Sequence, residues 1–211
     1  MKKNFITVID TEKDLVEKYI PYDNNIEDIA FCDNNMLVSA WAPKGKPYQI
    51  DVINLDNYFT VKTIPLDFKM TSMVVIGKII YGINGLSKEP VLYMIDWESG
   101  QIIDKIELKE YFPWKVYINK VNGDPFIYVT HYDIDDMSGD SITCIDPVTN
   151  KIVSTITCAL HPEEIAFNND EIVVGDSVND RLLIIKDNKI IHEIKLDRRA
   201  MSIVKTDSYS D

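Results

Sequence analysis

Four side chains in this sequence have the chemistry of a metal site or an acid–base pair: His131, His161, Glu163 and Glu164. Imidazole and carboxylate groups that converge on one point hold a divalent metal or exchange a proton with a substrate. Their spacing is not diagnostic. His161-Pro162 also reads as a turn, and Glu163-Glu164 as the start of a strand whose neighbouring side chains face opposite ways. The third histidine, His192, falls in an outer strand and reads as a surface residue. A second candidate is the segment HYDIDDMSGD, which gathers Asp133, Asp135, Asp136 and Asp140. Calcium takes roughly six to eight oxygen ligands, so clustered carboxylates suit it. Here Met137 stands where a ligand is needed, and neither the turn glycine nor the closing glutamate of a calcium loop is in place. A solvated acidic loop facing a basic partner is the plainer reading. Arg198-Arg199, the one arginine pair, could receive a carboxylate or phosphate, although internal pairing suits an acidic chain better. No nucleophile elbow, P-loop, GxGxxG or HExxH motif occurs. No cofactor is expected.

These residues sit at the ends of strands, and the strands recur. Five segments, FITVIDTEKDLVEKYI, IDVINLDNYFTVKTI, LYMIDWESGQIIDKI, ITCIDPVTNKIVSTI and LLIIKDNKIIHEI, each run from an apolar strand through a polar turn into a second strand. They align at Asp10, Asn54, Asp96, Asp146 and Lys186, giving spacings of 44, 42, 50 and 40. A period near 40 built from short strands marks a propeller of four-stranded blades. Each unit resolves into strands a to d from the axis outward. Strand a is expected from Asp28, Ser72, Lys115, Glu164 and Ser202, and strand b over residues 36–41, 79–84, 126–131 and 171–176. Thr11–Tyr19 has the charge pattern of a helix but occupies a strand-d position, and the repeat outweighs local propensity. Asp10, Asp96 and Asp146 read as turn residues that satisfy backbone amides, not as metal ligands.

The expected fold is therefore all-β, a β-propeller of four-stranded antiparallel blades forming one domain over 1–211. The units fall at about 21–66, 67–108, 109–158 and 159–196. A closing blade would combine residues 1–20 with 197–211. N-terminal strands c and d would join a C-terminal strand a at Ser202–Lys205, tying a five-bladed ring shut and hiding its sheet edges. One strand b is short in that count, so the alternative is a piece of a larger, six- to eight-bladed propeller.

Composition narrows the partners. With 22 basic and 34 acidic residues the net charge is −12, which repels nucleic-acid backbones and anionic membranes. No run of eighteen apolar residues offers a membrane span. Lys2 and Lys3 are not followed by an apolar leader segment, so the chain reads as cytoplasmic unless trimmed from a longer protein. Cys32, Cys144 and Cys158 lack CxxC spacing and read as thiols. If Asp146 faces Lys151, Cys144 faces Val153 rather than Cys158.

The d–a and b–c loops of a propeller emerge together on one face. Here they bring Tyr22, Trp41, Phe68, Tyr111, Phe112, Trp114, His131 and Tyr132 to it, whereas the opposite face has short polar turns such as CDNN and NND. Aromatic rings with polar handles are common anchors of binding surfaces. The bland reading is that they plug the gaps between blades.

ITCIDPVTNKIVSTI followed by HPEEIAFNNDEIVVGDSVNDRLLII resembles the YVTN-type β-propeller repeat, in which a strand ends in ID and a later stretch reads P-x-x-IAF and N-x-L-x-VID. The similarity is clearest over 141–186 and fades toward the N-terminus. It implies the fold and a habit of binding, but no fixed active site. The function expected is a non-catalytic scaffold. It recognises a protein or peptide through Tyr22, Trp41, Tyr111, Phe112, Trp114, His131, Tyr132, His161 and Glu163. The alternative is a metal-dependent hydrolase or lyase, lactonase-like, using His131, His161 and Glu163 at the channel mouth.

Overall fold

A computed structural model describes residues 4–44, 47–85, 87, 89–132, 139–159, 161–198 and 202–203. Strands b and c are buried on both faces whereas apolar and polar residues alternate in outer strands such as KIVSTIT, and the chain folds as meanders of antiparallel strands. A hairpin, β1 (Asn4–Asp10) and β2 (Leu15–Tyr22), comes first. Blade 1 follows as β3 (Asn25–Cys32), β4 (Asn35–Trp41), β5 (Tyr48–Asn54) and β6 (Thr60–Leu66). Blade 2 is β7 (Ser72–Ile76), β8 (Ile79–Ile83), β9 (Val91–Asp96) and β10 (Gln101–Glu107). Blade 3 is β11 (Pro113–Val121), β12 (Asp124–His131), β13 (Ser141–Asp146) and β14 (Lys151–Thr157). Blade 4 is β15 (Pro162–Asn168), β16 (Glu171–Asp176), β17 (Arg181–Lys186) and β18 (Lys189–Lys195). Each blade is one four-stranded sheet in sequence order. These sheets are the expected a–b–c–d sets, and Thr11–Tyr19 forms a turn running into β2, not a helix.

The outer hairpins share one device. A β-bulge interrupts every c–d pairing at the equivalent place: Val8/Ile9, Val52/Ile53, Ile102/Asp104, Cys144/Ile145 and Ile184/Ile185. The extra residue bends the outer strand and increases its twist. It also corrects the expected pairing of Cys144, which faces Ser154 instead of Val153. The three cysteines are free. The turn aspartates act on their own loops. Asp146 accepts from the Val148 amide (2.8 Å) and the Thr149 hydroxyl (2.8 Å), and Asp96 from the Ser99 amide (2.8 Å). These bonds hold both carboxyls below the usual range.

Four apolar clusters lie between sheets, one per joint: hairpin to blade 1, then blades 1–2, 2–3 and 3–4. Each joint uses the forward face of one sheet and the backward face of the next. On the forward face the d-strand isoleucines Ile20, Ile64, Ile106 and Ile156 are at most 7% exposed. On the backward face Ile53, Ile95, Ile145 and Ile185 are at most 1% exposed. Burying one such side chain contributes about 1.5–3 kcal/mol relative to leaving it in water. Near the axis the joints are also polar. Asp28 Oδ2 accepts from the Met73 amide of the next blade (2.7 Å), and Ser72 Oγ from the Val116 amide (3.2 Å). Burial holds the Asp28 carboxyl above its ordinary range even so.

The array is open at both ends. Ile9 and Ile194, the end counterparts of those joint residues, are 59% and 41% exposed. The hairpin has no inner strands of its own, and an apolar groove lined by Ile6, Val8, Ile29, Phe31, Met36 and Tyr58 lies beside β1. Ser202 and Ile203, expected to begin a closing strand, carry no strand, and Val204 and Lys205 lie outside the described residues. Ring closure is not present among the described residues.

Candidate functional site: the mouth of the blade array

In blades 1, 3 and 4 strand a runs further toward the mouth than the sequence pattern indicates. Bulges between Ile26/Asp28, Pro113/Lys115 and Pro162/Ile165 keep the pairing going. They place Trp41 opposite Asn25, His131 opposite Pro113 and Asp176 opposite Pro162. Trp114 and Glu163, expected in d–a loops, thus lie in β11 and β15, while Trp41 and His131 close β4 and β12 where strand b is expected to end. Phe112 and His161, each just before a proline, adopt positive φ values of 54° and 59°. Such backbone is uncommon for bulky residues and re-aims the chain from the d–a loop into strand a.

Three blades meet around a cavity of about 210 Å³ lined by Glu27, Lys69, Thr71, Gly85, Trp114 and Lys115. Glu27, on β3, accepts from the Trp41 indole N–H (2.5 Å) and pairs with the Lys69 ammonium (2.7 Å). That ammonium also lies 5.0 Å from the centre of the Trp41 ring, a cation–π geometry. Lys115 pairs with Glu164 of blade 4, whose second oxygen accepts from the Tyr117 hydroxyl (3.0 Å). Burial, with Glu164 alongside, drives the Tyr117 phenol well above its ordinary pKa. Thr71 Oγ1 accepts from the Gly85 amide (2.7 Å), and a Cβ at Gly85 would stand 2.9 Å from that hydroxyl and 3.1 Å from the Pro113 carbonyl. Trp114 meets Tyr132 edge to face with ring centres 5.2 Å apart. Tyr111 is 65% exposed beside the half-buried Phe112.

Beyond Tyr132 the described residues of the mouth are buried. His131 is buried, with Nδ1 3.0 Å from the Tyr111 carbonyl and Nε2 2.8 Å from Thr143 Oγ1. Burial pushes its pKa down to about 4, so the ring is neutral near pH 7. With both nitrogens engaged, it presents no lone pair to a metal. Tyr132 and His161 are buried with ring centres 4.8 Å apart. The His161 amide donates to the Gly139 carbonyl (2.9 Å). Gly139 has φ of 106°, and a Cβ there would stand 2.4 Å from the His131 carbonyl, so this close approach requires glycine. Asp176 is fully buried and accepts from Asn179 and from Arg181 Nε (2.7 Å).

The nine residues singled out by sequence therefore separate. Trp114 lines the cavity, Trp41 contacts its Glu27 and Lys69, and Tyr111 and Phe112 lie in the loop leading into β11. His131, Tyr132 and His161 are core of the adjoining wall. Glu163 is half-buried in β15, and its carbonyl accepts from the Tyr117 hydroxyl (3.3 Å). Tyr22 belongs to the hairpin joint, where its hydroxyl donates to Asp51 (2.5 Å). Among the described residues no group of three His, Cys, Asp or Glu side chains could hold a metal ion. Asp133, Asp135, Asp136 and Met137 lie outside the described residues; Asp140 is exposed. Sequence reasoning passed over Glu27, Lys69 and Thr71. Glu27 and Lys69 lie in d–a loops of neighbouring repeats with opposite charge, and that is the signal that could have found them.

No family model matches the sequence, and no curated protein matches it. Solved structures do match in fold. One is a hydrazine synthase of Kuenenia stuttgartiensis, at TM-score 0.64 and 15% identity, covering 80% of this chain and 48% of that one. A second is the dihydro-heme d1 dehydrogenase NirN, at 0.68 and 12%, covering 90% and 43%. A third is the computationally designed Ika8 protein, at 0.68 and 10%, covering 96% and 60%. The chain thus spans between 43% and 60% of the length of the structures it matches. At such identities the likeness concerns fold alone: four β-propeller blades and a two-stranded hairpin.

Proposed function

We propose that the chain is a non-catalytic binding scaffold, a divergent propeller of the YVTN-repeat kind, that takes a protein segment or peptide at the mouth of blades 1 to 3. The carrying observation is the cavity at which three blades meet, walled by Trp114 and by the Glu27–Lys69 and Lys115–Glu164 pairs. Each pair can exchange its partner for a charged group on a ligand. Trp41, Trp114 and Tyr111 supply apolar area with few rotors to immobilise, as binding anchors do. The net charge of −12 favours a basic ligand and raises its rate of encounter.

The test is selection of displayed random peptides on the immobilised protein. Peptides enriched on the wild type are expected to be basic, and to lose binding to the double variant Trp41→Ala, Trp114→Ala while that variant keeps its far-UV spectrum. Enriched peptides that bind both proteins equally would rule out the mouth as the recognition surface.

A further inference from the structure

The two ends of the array carry joint faces with nothing packed on them. The register makes the equivalence explicit. Ile194 pairs with Leu182 as Ile156 pairs with Ile142, Ile106 with Leu92, Ile64 with Ile50 and Ile20 with Ile6. Ile156, Ile106, Ile64 and Ile20 are buried by a following sheet; Ile194 is not. At the other end Ile9 follows the bulge of its hairpin as Ile53, Ile95, Ile145 and Ile185 follow theirs. Those four are buried by a preceding sheet, whereas Ile9 is open, with Phe5 and Tyr19 exposed in an edge-to-face contact 6.3 Å apart on the same hairpin.

We propose that these are the two halves of one more joint, made head to tail between two copies of this chain. Blade 4 of each copy packs its forward face on the backward face of the other copy's hairpin. Every joint in the molecule is a forward face on a backward face, so the chemistry that fits Ile194 and Leu182 is the kind of surface that carries Ile9 and Phe5. Among the described residues nothing packs on either face. A second copy supplies both at once, and two such joints are related by one two-fold axis and close on themselves. This inference is independent of what the mouth binds.

Sedimentation equilibrium across a wide protein concentration range tests it. The wild type is expected at twice the 24.2 kDa chain mass. Ile9→Asp and Ile194→Asp each place a charge in both joints, so each is expected as a single chain, its association weakened about a hundredfold or more. Both positions are exposed, so neither change burdens folding of the monomer, which circular dichroism verifies. Mixing the two variants leaves one joint unaltered and is expected to restore a two-chain species. A wild type of single-chain mass at every concentration overturns the proposal. So does an I9D variant that remains dimeric, which would mean a contact between like faces, or a mixture that stays monomeric.

Discussion

The two halves of the mouth are built from the same loops and strand ends, yet among the described residues one half lines a cavity and the other is buried core. On the side of blades 1 to 3, Trp41, Trp114, Glu27, Lys69 and Lys115 surround a cavity with paired charges within reach of water. On the side of blades 3 and 4, His131 and Asp176 are buried and held by side-chain hydrogen bonds, and Tyr132 and His161 are buried ring against ring. Residue type does not separate them, since both halves are aromatic and polar. The difference is whether each polar group is satisfied inside the blade or across an accessible gap. Buried and satisfied groups specify packing; pairs at a gap remain available to a ligand.

The sharpest way to break this comparison is to cut into the buried half. His131→Ala opens a void and strands the buried Thr143 hydroxyl and the Tyr111 carbonyl. A loss of about 3–4 kcal/mol is expected, a fall in Tm of roughly 6–16 °C by differential scanning calorimetry. An unchanged Tm would mean that the imidazole is not structural.

Acid should find the same residue. Unfolded, His131 takes a proton below its ordinary 6.5, whereas folded it resists until about 4. The unfolded chain therefore binds more protons in that window, and stability falls as pH drops from 6.5 toward 4 and is retained in full above it. The slope is at most about 1.4 kcal/mol per pH unit and the total about 3 kcal/mol. Urea titrations of wild type and His131→Gln at several pH values measure it; the variant should lose this slope.

Changes in the cavity half should act on binding and scarcely on folding. Lys69→Met removes one ion pair and one cation–π contact, for about 1 kcal/mol of stability. It should alter the affinity of a selected basic peptide about tenfold by calorimetric titration. Tyr111→Ala is the mildest case: within about 0.5 kcal/mol in stability, since the ring is mostly in water, with a severalfold loss of affinity.

The fold was legible in the sequence because a period-two pattern repeated five times leaves little freedom: Asp10, Asp96 and Asp146 mark equivalent turns, and β2 is a strand despite the helical charge pattern of residues 11–19. What the pattern hides is the bulge. One extra residue turned Cys144 toward Ser154, and bulges in the a–b pairs carried Trp114 and Glu163 from loops into strand a. The candidate site was legible only as a face. Trp114 and His131 arise from adjacent strands at the same height, and their separation into cavity wall and core depends on partners distant in sequence, Thr143 within the blade and Glu27 and Glu164 on neighbouring blades, which no local pattern announces.

The most direct measurement is a ¹H–¹⁵N spectrum of the three indole N–H groups during titration with a selected peptide. Trp41 and Trp114 flank the cavity, while Trp97 stands at the opposite face with its N–H on the Gly77 carbonyl (3.4 Å). The account predicts that the Trp41 and Trp114 signals move with the peptide and that Trp97 stays in place. Movement of Trp97 alone, or saturating binding with all three signals fixed, would contradict a recognition site at this mouth.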